Sequence, residues 1–165
     1  MAKIVFYSFF ILMVLSCGND QKESQTKEEV TDTITNENWP QKLKPNAKTH
    51  DIIANWPEFV SLETGFDALY IVSNSEDLSL VLDDLTEKIK VLSESTYPDT
   101  FDKAQIKSRQ KVFLTYVLKT QGDIIYSIDT NSSIIQMVEA YNSLIRQMNI
   151  ITDDTLDLKS LLDEE

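Results

Sequence analysis

Leu78, Leu82, Leu85, Ile89 and Leu92 recur at alternating steps of four and three, a spacing that gathers them on one face of a helix and would scatter them over both faces of a strand. The same period returns in three other stretches: Ile52, Trp56, Phe59, Phe66, Leu69 and Tyr70; Ile106, Phe113, Val117, Ile124 and Ile128; and Ile134, Val138, Tyr141, Ile145 and Met148. No stretch alternates with a period of two and no internal repeat is present, so the body of this chain is expected to be all-α.

The punctuation between the stripes is helical too. Pro57 suits a first helical turn, where its missing N–H does no harm, and Asn74 and Ser75 offer caps for the second helix. The sequence Tyr97-Pro98-Asp99 breaks that helix, and Asp99 or Thr100 can cap the third. Gly122 is expected to end or bend the third helix, and residues 129–133 to make the next turn. Short connections make sequential neighbours antiparallel. The expectation is an up-down antiparallel four-helix bundle over residues 51–151, followed by a short acidic amphipathic helix or tail over 152–165, where Leu158, Leu161 and Leu162 cover the bundle end. The last stretch, 153–165, holds six acids and one Lys.

Residues 18–50 read differently. Val30, Ile34, Trp39, Leu43 and Ala47 are the only apolar side chains there, too few to bury and without a period, which is the composition of a disordered linker. Charge is segregated along it: residues 20–37 hold six acids and two lysines, whereas residues 39–50 hold Lys42, Lys44 and Lys48 and no acid. These lysines read as solvated linker charge, with contact to anionic headgroups as the sharper alternative.

Inventory removes most chemistry. The 165 residues include one His, one Cys and three Gly. His50 lies in the linker, so neither a Ser/His/Asp triad nor a histidine-rich zinc site can be assembled, and no glycine-rich phosphate loop can be written. Asp129-Thr130-Asn131-Ser132-Ser133 begins like a calcium loop. It then fails, with Ile134 in the place of the turn glycine and Ala140 in the place of the last carboxylate, and reads better as a helix cap. The neighbouring acids Asp83/Asp84 and Asp153/Asp154 do not share a helix face. A net charge of −12 is opposed to nucleic acid, which needs a basic footprint. No enzyme, no catalytic residue, no metal and no cofactor is expected.

Two charges fall on apolar stripes: Glu63 between Phe59 and Phe66, and Arg109 between Ile106 and Phe113. Both are expected near the core, where an isolated charge is costly, and therefore paired with each other or with a tyrosine such as Tyr70 or Tyr141. Asn142 and Arg146, one turn apart beside Tyr141, are a smaller polar patch that reads as solvated.

The first sixteen residues form a targeting segment, with Lys3 as its positive end and an apolar run from Ile4 to Leu15, too short to span a bilayer. It closes on Val14-Leu15-Ser16-Cys17: aliphatic, aliphatic, small, cysteine. This resembles the lipobox of bacterial lipoprotein precursors. The resemblance covers about 17 residues and implies that residues 1–16 are removed and that Cys17 becomes the acylated first residue, the covalent diacylglyceryl and acyl lipid being the only attached group. Removal takes away one Lys and no acid, moving the net charge from −12 to −13. Gly18 and Asn19 follow Cys17, and the lack of Asp in the second mature position implies an outer-membrane destination. Gln21-Lys22-Glu23 looks like a surface-export signal of some Gram-negative bacteria, and Asp32-Thr33-Ile34 and Asp154-Thr155-Leu156 resemble an O-glycosylation sequon.

Together these imply a lipid-anchored envelope protein, periplasm-facing or at the cell surface. Residues 17–50 would be its leash, and its helical domain would bind or scaffold an envelope or extracellular partner. A second reading is a small-molecule carrier or sensor with an aromatic cavity lined by Trp56, Phe59, Phe66, Tyr70, Phe113, Tyr116 and Tyr141.

Overall fold

The computed structural model describes residues 33–162. The signal segment, Cys17, the export-like triplet and the first half of the expected linker lie outside the described residues. Within them the protein is all-α: α1 spans Ala47–Ile53, α2 Pro57–Asp67, α3 Ser75–Glu94, α4 Ala104–Ile125 and α5 Asn131–Leu162. α2 tightens into one 3-10 turn over Ala68–Ile71.

Local chemistry sets most of these limits. The Asn74 side chain accepts the Asp77 amide at 2.8 Å, and Glu76 and Asp77 in the first turn of α3 complement its N-terminal dipole. The helix expected to begin at Pro57 does begin there, and Ile52 of the same stripe belongs to the separate helix α1. Pro57 holds Trp56 out of the helical region at φ −119°, ψ 84°, so α1 and α2 meet at a corner. α4 starts from Lys103, which gives no side-chain cap, and neither Asp99 nor Thr100 takes that role. The Pro98 carbonyl instead receives the Phe101 and Asp102 amides and tucks the Phe101 ring into the core. Gly122 neither ends nor replaces a turn of α4, which runs on to Ile125. Nor is there a separate helix from residue 152, because α5 continues without interruption to Leu162.

The helices pack in sequence, α2 on α3, α3 on α4 and α4 on α5, with α1 against α5 and α2. Most of the expected stripe residues form the core, but Ile52, Tyr70 and Ile124 are only partly buried and Ile128, expected on the third stripe, is exposed because it lies beyond the end of α4. Leu78, Leu82, Leu85, Ile89, Leu92, Ile106, Phe113, Val117, Ile134, Val138, Tyr141, Ile145 and Met148 are all buried. Phe66 of α2 and Tyr141 of α5 stack across it with ring centres 4.1 Å apart.

The expected linker is where the structure departs most from the sequence reading. Residues 33–46 form a non-helical strap laid on the helices, with a turn in which the Trp39 amide donates to the Asn36 carbonyl at 3.1 Å; Trp39 is only 7% exposed, and residues 47–50 belong to α1. The folded body therefore begins by residue 33 and not at 51. A count of apolar residues missed this because the strap is held chiefly through its backbone, by polar side chains of α2 and α5.

α4 ends in a Schellman-type turn: the Ile128 amide reaches the Asp123 carbonyl at 2.8 Å, and Ser127 takes φ 53°. That left-handed conformation is normally given to glycine and costs an L-residue about 1–2 kcal/mol. Ser127→Gly is expected to raise the unfolding free energy by about 1 kcal/mol, measured as a higher urea midpoint at unchanged slope; an unchanged or lower midpoint would refute the strain.

Candidate functional site

The groove under the strap holds the densest set of polar side chains in the body. Asn142 of α5 grips two backbone groups at once, its Nδ2 donating to the Gln41 carbonyl at 2.9 Å and its Oδ1 accepting the Leu43 amide at 2.7 Å. Two turns further on, Asn149 Oδ1 accepts the Asn46 amide at 3.0 Å. At the start of α5, Asn131 Oδ1 accepts the Trp39 indole N–H at 3.1 Å. From α2's end, the Tyr70 hydroxyl donates to the Pro40 carbonyl at 2.8 Å, and the Tyr70 carbonyl accepts from Asn36 at 2.7 Å.

Helical geometry explains the register. Asn131, Asn142 and Asn149 are separated by eleven and seven residues, which at 100° per residue return to within about 20° of one line. The rise from Asn142 to Asn149 is about 10.5 Å. Three extended residues, Leu43 to Asn46, cover about 10 Å, so two helical turns match three residues of strap. Pro40 and Pro45 favour that extension. Asparagine is a poor residue for a helix interior. Two of them a heptad apart in an otherwise apolar stripe were the signal available in the sequence. The solvated polar patch expected of Asn142 and Arg146 divides: Asn142 is buried and turned to the strap, and Arg146 is exposed.

A charged layer closes the same groove. Lys42 of the strap has a side chain only 14% exposed, with Nζ 2.7 Å from Asp67 Oδ1, 3.5 Å from Glu63 Oε1, 3.2 Å from the Glu63 carbonyl and 5.7 Å from the centre of the Tyr141 ring. The Tyr141 hydroxyl is buried facing Glu63 but makes no hydrogen bond of good geometry. Burial, and then the charges of Glu63 and Asp67, push its pKa far above the ordinary phenol value.

Glu63 and Arg109, expected to pair with each other or with a tyrosine, are not brought together, and of the two only Glu63 stands beside one of the expected tyrosines, Tyr141. Glu63 faces Lys42 and the Tyr141 side of the groove. Arg109 crosses from α4 to α5, donating to Ser143 Oγ at 2.7 Å and to Gln147 Oε1 at 3.1 and 3.2 Å. The two positions lie on stripes that meet different neighbours, and neutral acceptors suffice for a half-buried guanidinium. Asp83 and Asp84 diverge, to Gln121 of α4 and to Lys88. Asp129 receives the Asn131 amide as a turn cap, and His50 is exposed, 3.9 Å from Asp51. Of the expected cavity lining, Trp56, Phe59, Phe66, Phe113 and Tyr141 are core residues packed ring against ring.

Among the described residues no cluster of three or more His, Cys, Asp or Glu could hold a metal ion, and no helix is long and apolar enough to cross a membrane. No family model matches the chain, and no curated protein or solved structure is significantly similar to it. What the groove does chemically is recognise an extended backbone, occupied here by the chain's own strap.

Asn142→Leu is expected to cost about 1–3 kcal/mol by leaving the Gln41 carbonyl and Leu43 amide without partners, and to speed hydrogen exchange at Leu43 well before global unfolding; unchanged Leu43 protection would refute the clamp. Tyr141→Phe removes an unsatisfied buried hydroxyl and is expected to stabilise the protein at pH 7 by about 1 kcal/mol. A raised folded-state phenol pKa leaves its contribution intact below about pH 10, the unfolded value, and loses it as pH rises further. Wild type should therefore weaken above that pH more steeply than the Tyr141→Phe chain, with Tyr70 and Tyr97, both also raised chiefly by burial, supplying the remaining slope. Parallel alkaline profiles would contradict this.

Proposed function

We propose that this protein is a lipid-anchored, non-catalytic module of a bacterial outer membrane, with Cys17 as the acylated anchor and the helical body as a binding or scaffolding surface for another envelope or extracellular protein. In the same reading, α2 to α5 form an antiparallel up-down four-helix bundle, and the strap joins it to the tether. A net charge of −13 after removal of residues 1–16 favours a partner with basic patches.

The observation that carries this reading is the strap. Because residues 33–46 are held on α2 and α5, only residues 18–32 are left between Cys17 and the body, and fifteen residues can reach at most about 50 Å. A chain that serves as a tether gains from such an attachment, since it places the body close to the surface that holds it. One acyl chain binds a bilayer reversibly, whereas two or three hold it firmly. The side chains that chemistry would need are meanwhile engaged in structure: Glu63 and Asp67 with Lys42, and Arg109 with Ser143 and Gln147.

The test is the amino terminus of the native protein. Mass spectrometry is expected to find it beginning at Cys17 with the mass of a diacylglyceryl group and at least one acyl chain, and a Cys17→Ser chain is expected to keep its signal segment and carry no such mass. A terminus at another residue, or Cys17 without added lipid, overturns the proposal.

A further inference from the structure

The two ends of the body treat their apolar side chains in opposite ways. At one end, the connection between α3 and α4 buries Phe101 and half-buries Tyr97, and the corner between α1 and α2 buries Trp56. At the other, the side chains point out. Ile71 is 83% exposed, Tyr126 77%, Ile125 75%, Leu80 65% and Ile128 55%, the five most exposed large apolar residues in the described body. Single exposed apolar residues are ordinary, but a gathering of them marks an interface.

These five do share one end. Ile71 and Leu80 line the same surface hollow, with Val72 and Val81 between them. Ile125, Tyr126 and Ile128 belong to the turn between α4 and α5. The start of the strap joins the two connections: the Ile34 amide bonds to the Ser73 carbonyl at 3.0 Å, and Thr33, Ile34 and Thr35 line a hollow with Asp129, Thr130 and Asn131. The strained Ser127 helps to aim the patch, because the turn it makes sends Ile128 outward instead of back onto α4.

Residue 33 is also at this end, so the chain that leads back to Cys17 leaves the body beside the apolar tip. We propose that the tip, Ile71, Leu80, Ile125, Tyr126 and Ile128, is a membrane-contact surface that dips into the lipid to which the chain is tethered. This deepens the lipid-anchor reading and rests on it. Aliphatic side chains around a tyrosine suit the headgroup boundary, where an aromatic ring with a polar end is favoured. Asp77 in the Ile71 hollow and Asp123 and Asp129 beside the α4–α5 turn would be repelled by an anionic surface, so the lipid that fits is zwitterionic. A protein partner for the tip is the competing outcome.

The experiment uses the full chain on vesicles of phosphatidylcholine with brominated acyl chains, which quench indole fluorescence on contact. The two native indoles, Trp39 and Trp56, are buried and give the background. A Tyr126→Trp chain is expected to lose at least half of its added emission, and a Thr96→Trp chain, labelled at the opposite end, almost none. Adding Ile71→Ser, Ile125→Ser and Ile128→Ser to the Tyr126→Trp chain is expected to cut the quenching at least threefold, with the helical circular dichroism unchanged. Vesicle-bound protein in which the two indoles are quenched equally, or neither is, overturns the tip proposal while leaving the tether standing, and points to a protein at the tip. A chain that does not stay on the vesicles overturns both.

Discussion

The Asn142 amide is the point on which both halves of this structure depend. A carboxamide in the middle of a buried helix face is a liability, because each of its polar atoms loses water and needs a partner. The strap has the same need at the Gln41 carbonyl and the Leu43 amide. Each satisfies the other. Hydrogen bonds of this kind give about 1 kcal/mol each, while ordering a residue costs about 1–2 kcal/mol, so the clamp sets the strap's register and cannot by itself hold it. The remainder comes from Trp39, buried beside the start of α5, and from Leu43 packed against the core.

α5 is accordingly a helix with two working faces. One carries Asn131, Asn142, Asn149 and Asp153, which receive Trp39, the strap backbone, and the Asn46 and Lys48 side chains. Another carries Ser143 and Gln147, which take the Arg109 guanidinium from α4. The apolar stripe runs between them. Glu63 and Arg109 therefore have separate partners: Ser143 and Gln147 of α5 take the guanidinium, and Lys42, arriving from the strap, supplies the cation that Glu63 would otherwise lack.

The apolar period of each long helix was plain in the sequence, since burial is its only requirement and every stripe residue from Leu78 to Leu92 and from Ile134 to Met148 meets it. What the period did not register was the strap, whose few apolar residues resemble a linker and whose attachment is backbone to side chain. The break at Trp56 was legible from a different rule, since proline suits a first helical turn and α2 begins at Pro57. Gly122 misled in the other direction. A glycine in the last turn of a helix already packed on α5 is a small cost; the helix ran three residues further, to Ile125, and the left-handed turn fell on Ser127, in the conformation glycine prefers.

The direction of the strap gives its hydrogen bonds a mechanical meaning. Trp39 lies against Asn131, Leu43 against Asn142, Asn46 against Asn149 and Thr49 against Thr152, so the strap runs parallel to α5, away from the apolar tip. A pull on residue 33 directed out through the tip then lies along the strap, and it loads the Asn142 clamp, the Asn149 bond and the buried indole together. The same pull at right angles to the helix would open them one at a time, beginning with Asn36 and Trp39. A tether of the kind proposed, leaving beside the tip, would therefore load the strap lengthwise.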